Sequence, residues 1–168
     1  SLGNVVDPGE IITKMGPDTA RVFILFTALP EKELEWSDQG VQGSFRFLNR
    51  VLHLAQNVPE FTTKISSRES HIISKLHTCI KKVTEDIEGL HYNTAISQLM
   101  IFRHQVQKAD KVARSTVRAF LQMLQPLAPH IASELWDRLG ETEPIHTAAW
   151  PVADATKLVS DTVKLVIQ

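Results

Sequence analysis

Residues 66–88 read SSRESHIISKLHTCIKKVTEDIE. Apolar side chains fall at Leu76, Ile80, Val83 and Ile87, in steps of four and three, and Leu90 continues the series. With 3.6 residues per turn, that spacing lines them along one side of a helix. Ile72 and Ile73 widen the seam at its start, while Lys75, Thr78, Lys81 and Lys82 look outward. Ser66 and Glu69 match a capping box, which satisfies the exposed N–H groups of a helix start. Gly89 breaks the helix, and His91-Tyr92-Asn93 turns the chain.

The pattern repeats toward the C-terminus. Asn93 caps a helix with Ala95, Ile96, Leu99, Phe102, Val106 and Ala109 inward. A further helix from Asp110 to about Gln125 turns Ala113, Val117, Phe120, Leu121 and Leu124 inward, with Lys111, Arg114 and Arg118 together outside. Pro129 opens a last helix to Leu139, closed by Gly140.

Toward the N-terminus, Ser37-Asp38 caps a helix running to about Asn57, ended by Pro59 and a loop over 58–65. Val41, Phe45, Leu48, Leu52 and Ala55 share one face; Arg46, Arg50, His53 and Asn57 share another. Residues 30–36 form an acidic connector. Before it, a short helix starts at Pro8-Gly9 and closes at Gly16, and Pro17-Asp18 restarts the chain. The next helix, Ala20 to Leu29, is apolar nearly all round and is expected between layers, with Arg21 needing a carboxylate or carbonyl partner. Short connectors make residues 38–140 an antiparallel, up-down helical bundle, a mainly α fold. Trp36, Phe45, Leu48, Ile80, Val83, Ile96, Leu99, Phe120, Leu121, Leu124, Leu135 and Trp136 are its expected core. Past Gly140 an extended tail is expected over His146–Pro151. Thr162–Ile167 alternates like a half-buried strand and stops at Gln168 without a partner. That stop, and a first residue other than Met, suggest a piece of a longer chain.

The 168 residues are 43% hydrophobic and 22% charged, which fits one folded domain, or one with a short appendage, and excludes wholesale disorder. A single cysteine, Cys79, excludes an intrachain disulfide and a cysteine-based zinc site; beside the seam it reads as a small buried thiol, not a nucleophile. No apolar run is long enough for a membrane span, and SLGNVVDPGE is no signal peptide. Phosphate-loop, zinc-protease, nucleophile-elbow and dinucleotide motifs are absent from the sequence. A metal site from His71, His77 and His104 is disfavoured by their scatter, and Glu85, Asp86 and Glu88 read as a solvated patch. Nothing resembles a self-contained active site.

The net charge of −1 conceals a division. Residues 1–40 carry three Lys/Arg and seven Asp/Glu; residues 41–125 carry twelve and six; residues 126–168 carry three and six. A basic middle between acidic flanks suits a local anionic partner. Arg46, Arg50, Lys81, Lys82, Arg103, Arg114 and Arg118 can pair with phosphates, arginine by a fork of donors. A helical scaffold or protein-interaction module, its charges serving solubility, remains the alternative from another class.

Several strings together resemble the leucyl-tRNA synthetase family in its bacterial or organellar form. Ser1-Leu2-Gly3-Asn4-Val5-Val6-Asp7-Pro8 is similar to the tail of the KMSKS signature of class I synthetases, with Ser1 its last serine. Residues 11–21, IITKMGPDTAR, mark the branch for leucine, isoleucine, valine and methionine. LEWSDQGV (34–41), RFLNRV (46–51), HTCIKKVTEDIE (77–88), NTAI (93–96) and LAPHIASELW (127–136) resemble the leucine enzymes specifically. The equivalent domain of an isoleucyl, valyl or methionyl synthetase is the remaining alternative. The resemblance implies a stem-contact segment over 1–36, a helical anticodon-binding domain over 37–140, and an extended linker over 141–168 leading to a C-terminal region. It implies tRNA(Leu) as partner and no membrane; Arg46 and Arg50, one turn apart, with Lys81 and Lys82 outward on the following helix, are expected to border one groove and meet the RNA backbone if the helices pack seam to seam, the alternative being that Arg46 or Arg50 pairs with Glu35 or Asp38. It also implies a parent that ligates leucine to tRNA with ATP and Mg2+, in the cytoplasm or an organelle. The catalytic lysines, nucleotide fold and editing insertion lie outside this sequence, so Ser1 is the one remnant of catalytic machinery and no cofactor or metal is expected here. Leucine enzymes rely little on the anticodon, so the contacts can fall elsewhere on the tRNA body.

Overall fold

A computed structural model of the chain describes residues 6–27, 34–56, 67–108 and 112–158, with the side chains of 54–56 and 67–69 excepted. Among the described residues there are seven α-helices: α1 Pro8–Met15, α2 Pro17–Thr27, α3 Asp38–Gln56, α4 Ser67–Glu88, α5 Tyr92–Gln107, α6 Arg114–Leu124 and α7 Pro129–Arg138. Two 3-10 turns follow, Ile145–Thr147 and Ala155–Lys157, and no strand occurs among the described residues. The fold is the mainly α bundle expected. Ser1, Ala28–Leu29, residues 30–33 of the acidic connector, Asn57, the 58–65 loop, Ser66, Ala109, Asp110, Lys111 and the Thr162–Ile167 segment lie outside the described residues, as does the Ala55 side chain.

Punctuation in the sequence sets the first helices. The Asp7 carboxylate accepts the Gly9 N–H at 2.8 Å, Pro8 occupies the first turn, and Gly16 closes α1 at φ +84°, where a Cβ would be strained. Ser37 Oγ caps α3 by accepting from Gly40 N–H at 3.1 Å. Gly40 is also where α2 meets α3: a Cβ there would lie 2.8 Å from the Phe23 ring. The two helices therefore approach more closely than any larger residue permits.

Helix α5 packs against α4 on one side and against α2 and α3 on the other; α6 covers α4 and pairs with α7, and α7 returns to α3. Ile96, Leu99 and Phe102 of α5 meet Phe120, Leu121 and Leu124 of α6 and Leu135 and Trp136 of α7 in one core cluster, all at most 1% exposed. Burial of such side chains gives about 1.5–3 kcal/mol each and supplies most of the bundle's stability. Val22 and Phe23 bring α2 into the same interior, fully buried.

Six expectations are corrected. Trp36 and Phe45 are half-buried rather than core: Trp36 stands edge-on to Phe23 at 5.0 Å at the rim, its Nε1–H donating to Asp38 Oδ1, and Phe45 faces a crevice with Pro17 and His130. The buried arc of α3 is Val41, Ser44, Phe47, Leu48 and Val51, turned from the expected seam because three helices cover α3 instead of one. Helix α2 is buried on one side only, with Ile24 and Phe26 exposed; Arg21 is exposed too, but its Nη2 does find a carbonyl, Pro126 O, at 3.4 Å. Leu90 does not extend the α4 seam. It turns out to solvent at φ +59°, as the left-handed residue of a Schellman reversal in which His91 N–H bonds Asp86 O at 2.7 Å. Asn93 does not cap α5: His91 is the cap residue, without a side-chain bond, and Asn93 Oδ1 is buried with no partner. Helix α6 starts at Arg114, since Val112 and Ala113 are not helical.

The tail does not run fully extended. It makes a 3-10 turn at Ile145–Thr147 and then lies along α4. Trp150 Nε1–H donates to Thr84 Oγ1 (2.8 Å), Asp154 N–H to His77 Nδ1 (3.0 Å), and Ser74 Oγ–H to Lys157 O (2.6 Å).

Candidate nucleic-acid interface

Arg46 and Arg50 lie one turn apart on the side of α3 that leads to α5. There the two helices form a shallow groove of about 370 Å³. From α3 come Gly43, Arg46, Phe47 and Arg50; from α5 come Met100, Arg103 and His104. Gly43 leaves room for Arg46, whose Nη2 lies 4.0 Å from where a Cβ would stand. No carboxylate is among these lining residues. Among the described residues neither Arg46 nor Arg50 has a hydrogen bond or an ion pair. Burial, and then the Arg50 charge, push the Arg103 guanidinium below its ordinary pKa, which places the two cations within electrostatic reach of each other.

Lys81 and Lys82 do not line this groove. Both are exposed on α4, which packs on α5 and α6, so α5 stands between them and α3. Lys81 approaches Glu85 at 4.0 Å, one turn on. Arg114 and Arg118 are taken up structurally. Arg114 Nη2 and Nε donate to Glu141 Oε1 at 2.9 and 3.3 Å, Arg118 Nε reaches Oε2 at 3.3 Å, and the Arg118 guanidinium lies 5.1 Å from the Trp136 ring centre. The seven basic residues therefore divide among three places: Arg46, Arg50 and Arg103 in the groove, Lys81 and Lys82 outside on α4, and Arg114 and Arg118 around Glu141.

Other chemistry is quiet. Cys79 is 4% exposed, contacts Gln98 O at 3.8 Å through Sγ, and burial pushes its thiol pKa up to about 12, so no thiolate forms at neutral pH. His77 is lowered below its ordinary pKa by burial first and by Lys157 second, against Asp154, and its neutral Nδ1 accepts a tail N–H. Among the described residues no group of three His, Cys, Asp or Glu could hold a metal ion. No described helix is long and apolar enough to cross a membrane.

Sequence reasoning placed Arg103 in the basic set but missed its pairing with Arg50, and missed His104. The signal was there: Arg103 follows Phe102 directly and so sits at the edge of the buried arc of α5. It also missed Asp18, which is 6% exposed on α2 and accepts His130 Nδ1–H and Ile131 N–H, each at 2.8 Å. That carboxylate caps α7 from another helix, supplying what Ala128 at the cap position cannot.

A helical bundle with an unpaired arginine groove defines a class, and comparison with known proteins gives it a family. The model of the anticodon-binding domain of tRNA ligase matches residues 69–168, so the chain belongs to that family. Within it, the chain is similar to leucine–tRNA ligases. That of Thermosynechococcus vestitus is 44% identical over 98% of this chain and 21% of its own length. That of Nostoc punctiforme is 44% identical over 100% of this chain and 21% of its own. A solved ternary complex of Agrobacterium radiobacter K84 LeuRS with tRNA and LeuAMS superposes with a TM-score of 0.82 at 27% identity, covering 95% of this chain and 23% of that one. The resemblance read from the sequence thus stands, and the chain spans about a fifth of the length of these relatives.

Proposed function

We propose that this chain is the tRNA-binding part of a leucine–tRNA ligase, and that its α3–α5 groove meets the sugar-phosphate backbone of tRNA(Leu). The observation that carries the reading is Arg46 and Arg50 standing unpaired, among the described residues, in a groove without a carboxylate. Phosphate contacts position an RNA without reading its bases, which suits a domain that orients a large substrate. Lys81 and Lys82, exposed on α4, add long-range attraction on a second face. In this reading residues 1–36 are a stem-contact segment following a KMSKS loop that ends at Ser1, residues 37–140 the anticodon-binding domain, and 141–168 a linker. Leucine, ATP and Mg2+ are bound by other parts of the natural protein, which ligates leucine to tRNA in the cytoplasm or an organelle. The chain by itself forms no leucyl-adenylate.

Alanine at Arg46, Arg50, Lys81 and Lys82, one at a time in the intact natural protein, tests this. Weaker tRNA binding and a flatter dependence on salt, with melting unchanged, support it. Unchanged affinity and salt slope at all four assign the charges to solubility and favour the helical-scaffold reading.

A further inference from the structure

We propose that Arg103 anchors a phosphate pocket, in which Arg103 and Arg50 together hold one phosphodiester of the bound RNA and Arg46 lies beside it. This rests on the reading that the groove faces tRNA, and adds a residue and a stoichiometry to it.

Arg103 is 5% exposed, yet its side chain makes no hydrogen bond or ion pair among the described residues. A guanidinium carries five N–H donors, and those of Arg103 open onto the groove without a protein acceptor among the described residues. The usual remedy in a fold is a carboxylate or carbonyl, as Glu141 serves Arg114. Here the neighbouring charge has the same sign: Arg50 works against the Arg103 cation. Two guanidinium groups facing one groove, one of them nearly buried, are an arrangement that an anion completes. It supplies acceptors to both forks and cancels their repulsion.

The remaining walls favour a phosphate on a chain. Phe47 and Met100 are apolar, so they keep the local dielectric low and strengthen the attraction. Arg46, Arg50 and His104 are exposed, so the groove opens to solvent and a backbone phosphate can enter with its ribose neighbours outside. Arg46 and His104 are exposed and stand where those neighbours would pass. Lys81 and Lys82 have no such geometry and act as diffuse charge.

The test compares Arg103→Met and Arg103→Lys with the unmodified intact protein. Arg103→Met is expected to weaken tRNA binding about tenfold, the worth of a charge-assisted hydrogen bond, and to lower the salt slope by about one. Because no hydrogen bond or ion pair of the fold is lost with it among the described residues, it is expected to melt no lower than the unmodified protein. Arg103→Lys keeps the slope and recovers part of the affinity. Inorganic phosphate should displace tRNA better than chloride at equal ionic strength, and that excess should vanish in Arg103→Met. If Arg103→Met leaves affinity and slope unchanged while Arg46→Ala and Arg50→Ala weaken binding, the anchor is wrong and the groove stands. If none of the three changes binding, the groove reading falls as well. A lower melting temperature for Arg103→Met, with phosphate no better than chloride, gives Arg103 a structural role and overturns the proposal. Displacement by a polyglutamate peptide equal to that by phosphate assigns the pocket to an acidic protein and overturns it too.

Discussion

Helices α3 and α6 each carry two arginines four residues apart, Arg46/Arg50 and Arg114/Arg118, and the fold treats them oppositely. The α6 pair converges on one carboxylate, Glu141, whose side chain is only 18% exposed, and Arg118 lies over the Trp136 ring. The α3 pair lines a groove with a third arginine and no acid. Spacing along one helix is the same in both cases, so spacing cannot tell a structural arginine from one available to a partner. The deciding residue lies elsewhere: Glu141 follows the Gly140 turn and folds back on α6, whereas among the described residues no acid lines the groove beside Arg46 and Arg50.

The contrast can be broken most forcefully at the floor of the α6 cluster. Trp136 is 1% exposed and its Nε1–H donates to Glu143 O at 2.7 Å, so Trp136→Ala should cost about 3–5 kcal/mol in denaturant unfolding. Leu121→Ala, under the same cluster, should cost about 2–5 kcal/mol. A loss under 1 kcal/mol for either would show that the core does not support the paired arginines.

The next effect separates the two pairs directly. Replacing both Arg46 and Arg50 by Ala should weaken tRNA binding by about tenfold or more and flatten the salt slope by about two, with stability within about 0.5 kcal/mol. Replacing Arg114 and Arg118 should instead lower stability and leave the slope alone. A swap of these outcomes would reverse the assignment.

Glu141→Gln sharpens the distinction by converting one kind of site into the other. The exposed halves of these ion pairs limit the loss to about 0.5–1 kcal/mol, read by thermal melting. Arg118, released from Glu141, should steepen the salt dependence of nonspecific RNA binding. An unchanged slope would mean that Glu141 is not what withholds it.

The smallest effect concerns the tail that follows Glu141. His77 accepts the Asp154 N–H while neutral, and its folded pKa is depressed, by burial foremost. The unfolded chain therefore binds the proton more readily. Tail docking is complete above the unfolded value of about 6.5 and weakens as pH falls below it, until the folded pKa is passed. Protection of the backbone amides of residues 150–157 against exchange, relative to the intrinsic rate at each pH, should fall as pH drops below about 6.5, and His77→Gln should remove that dependence.

Much of the fold was legible because its signals are local. Pro8 with Gly16, and Pro129 with Gly140, bracket their helices, and the seams of α4 and α5 follow a single face. Legibility failed where a second element decides. The burial of Ser44, Phe47 and Val51 depends on how many helices cover α3. Leu90 takes the left-handed position although Gly89 beside it is the better candidate by propensity. Of the site, the i,i+4 arginines were visible and their partners were not. Arg103 gained its place from Arg50, more than fifty positions away, and Lys81 and Lys82 lost theirs because α5 lies between the two helices.

The clasp made by Asp18 has a bearing on how the chain comes into being. Its acceptor oxygens are synthesised 113 residues before the Ile131 N–H they bind. At about 5–20 residues per second, α2 waits on the order of 6–20 s on the ribosome for the helix it caps. Phe23 meets Trp36 and Gly40 as soon as α3 forms, so by the end of that interval only the clasp itself is missing, while Ile24 and Phe26 stay exposed in any case. The clasp is thus the last lock on a helix whose packing is otherwise complete, and the start of α7, not α2, finds its partner already in place.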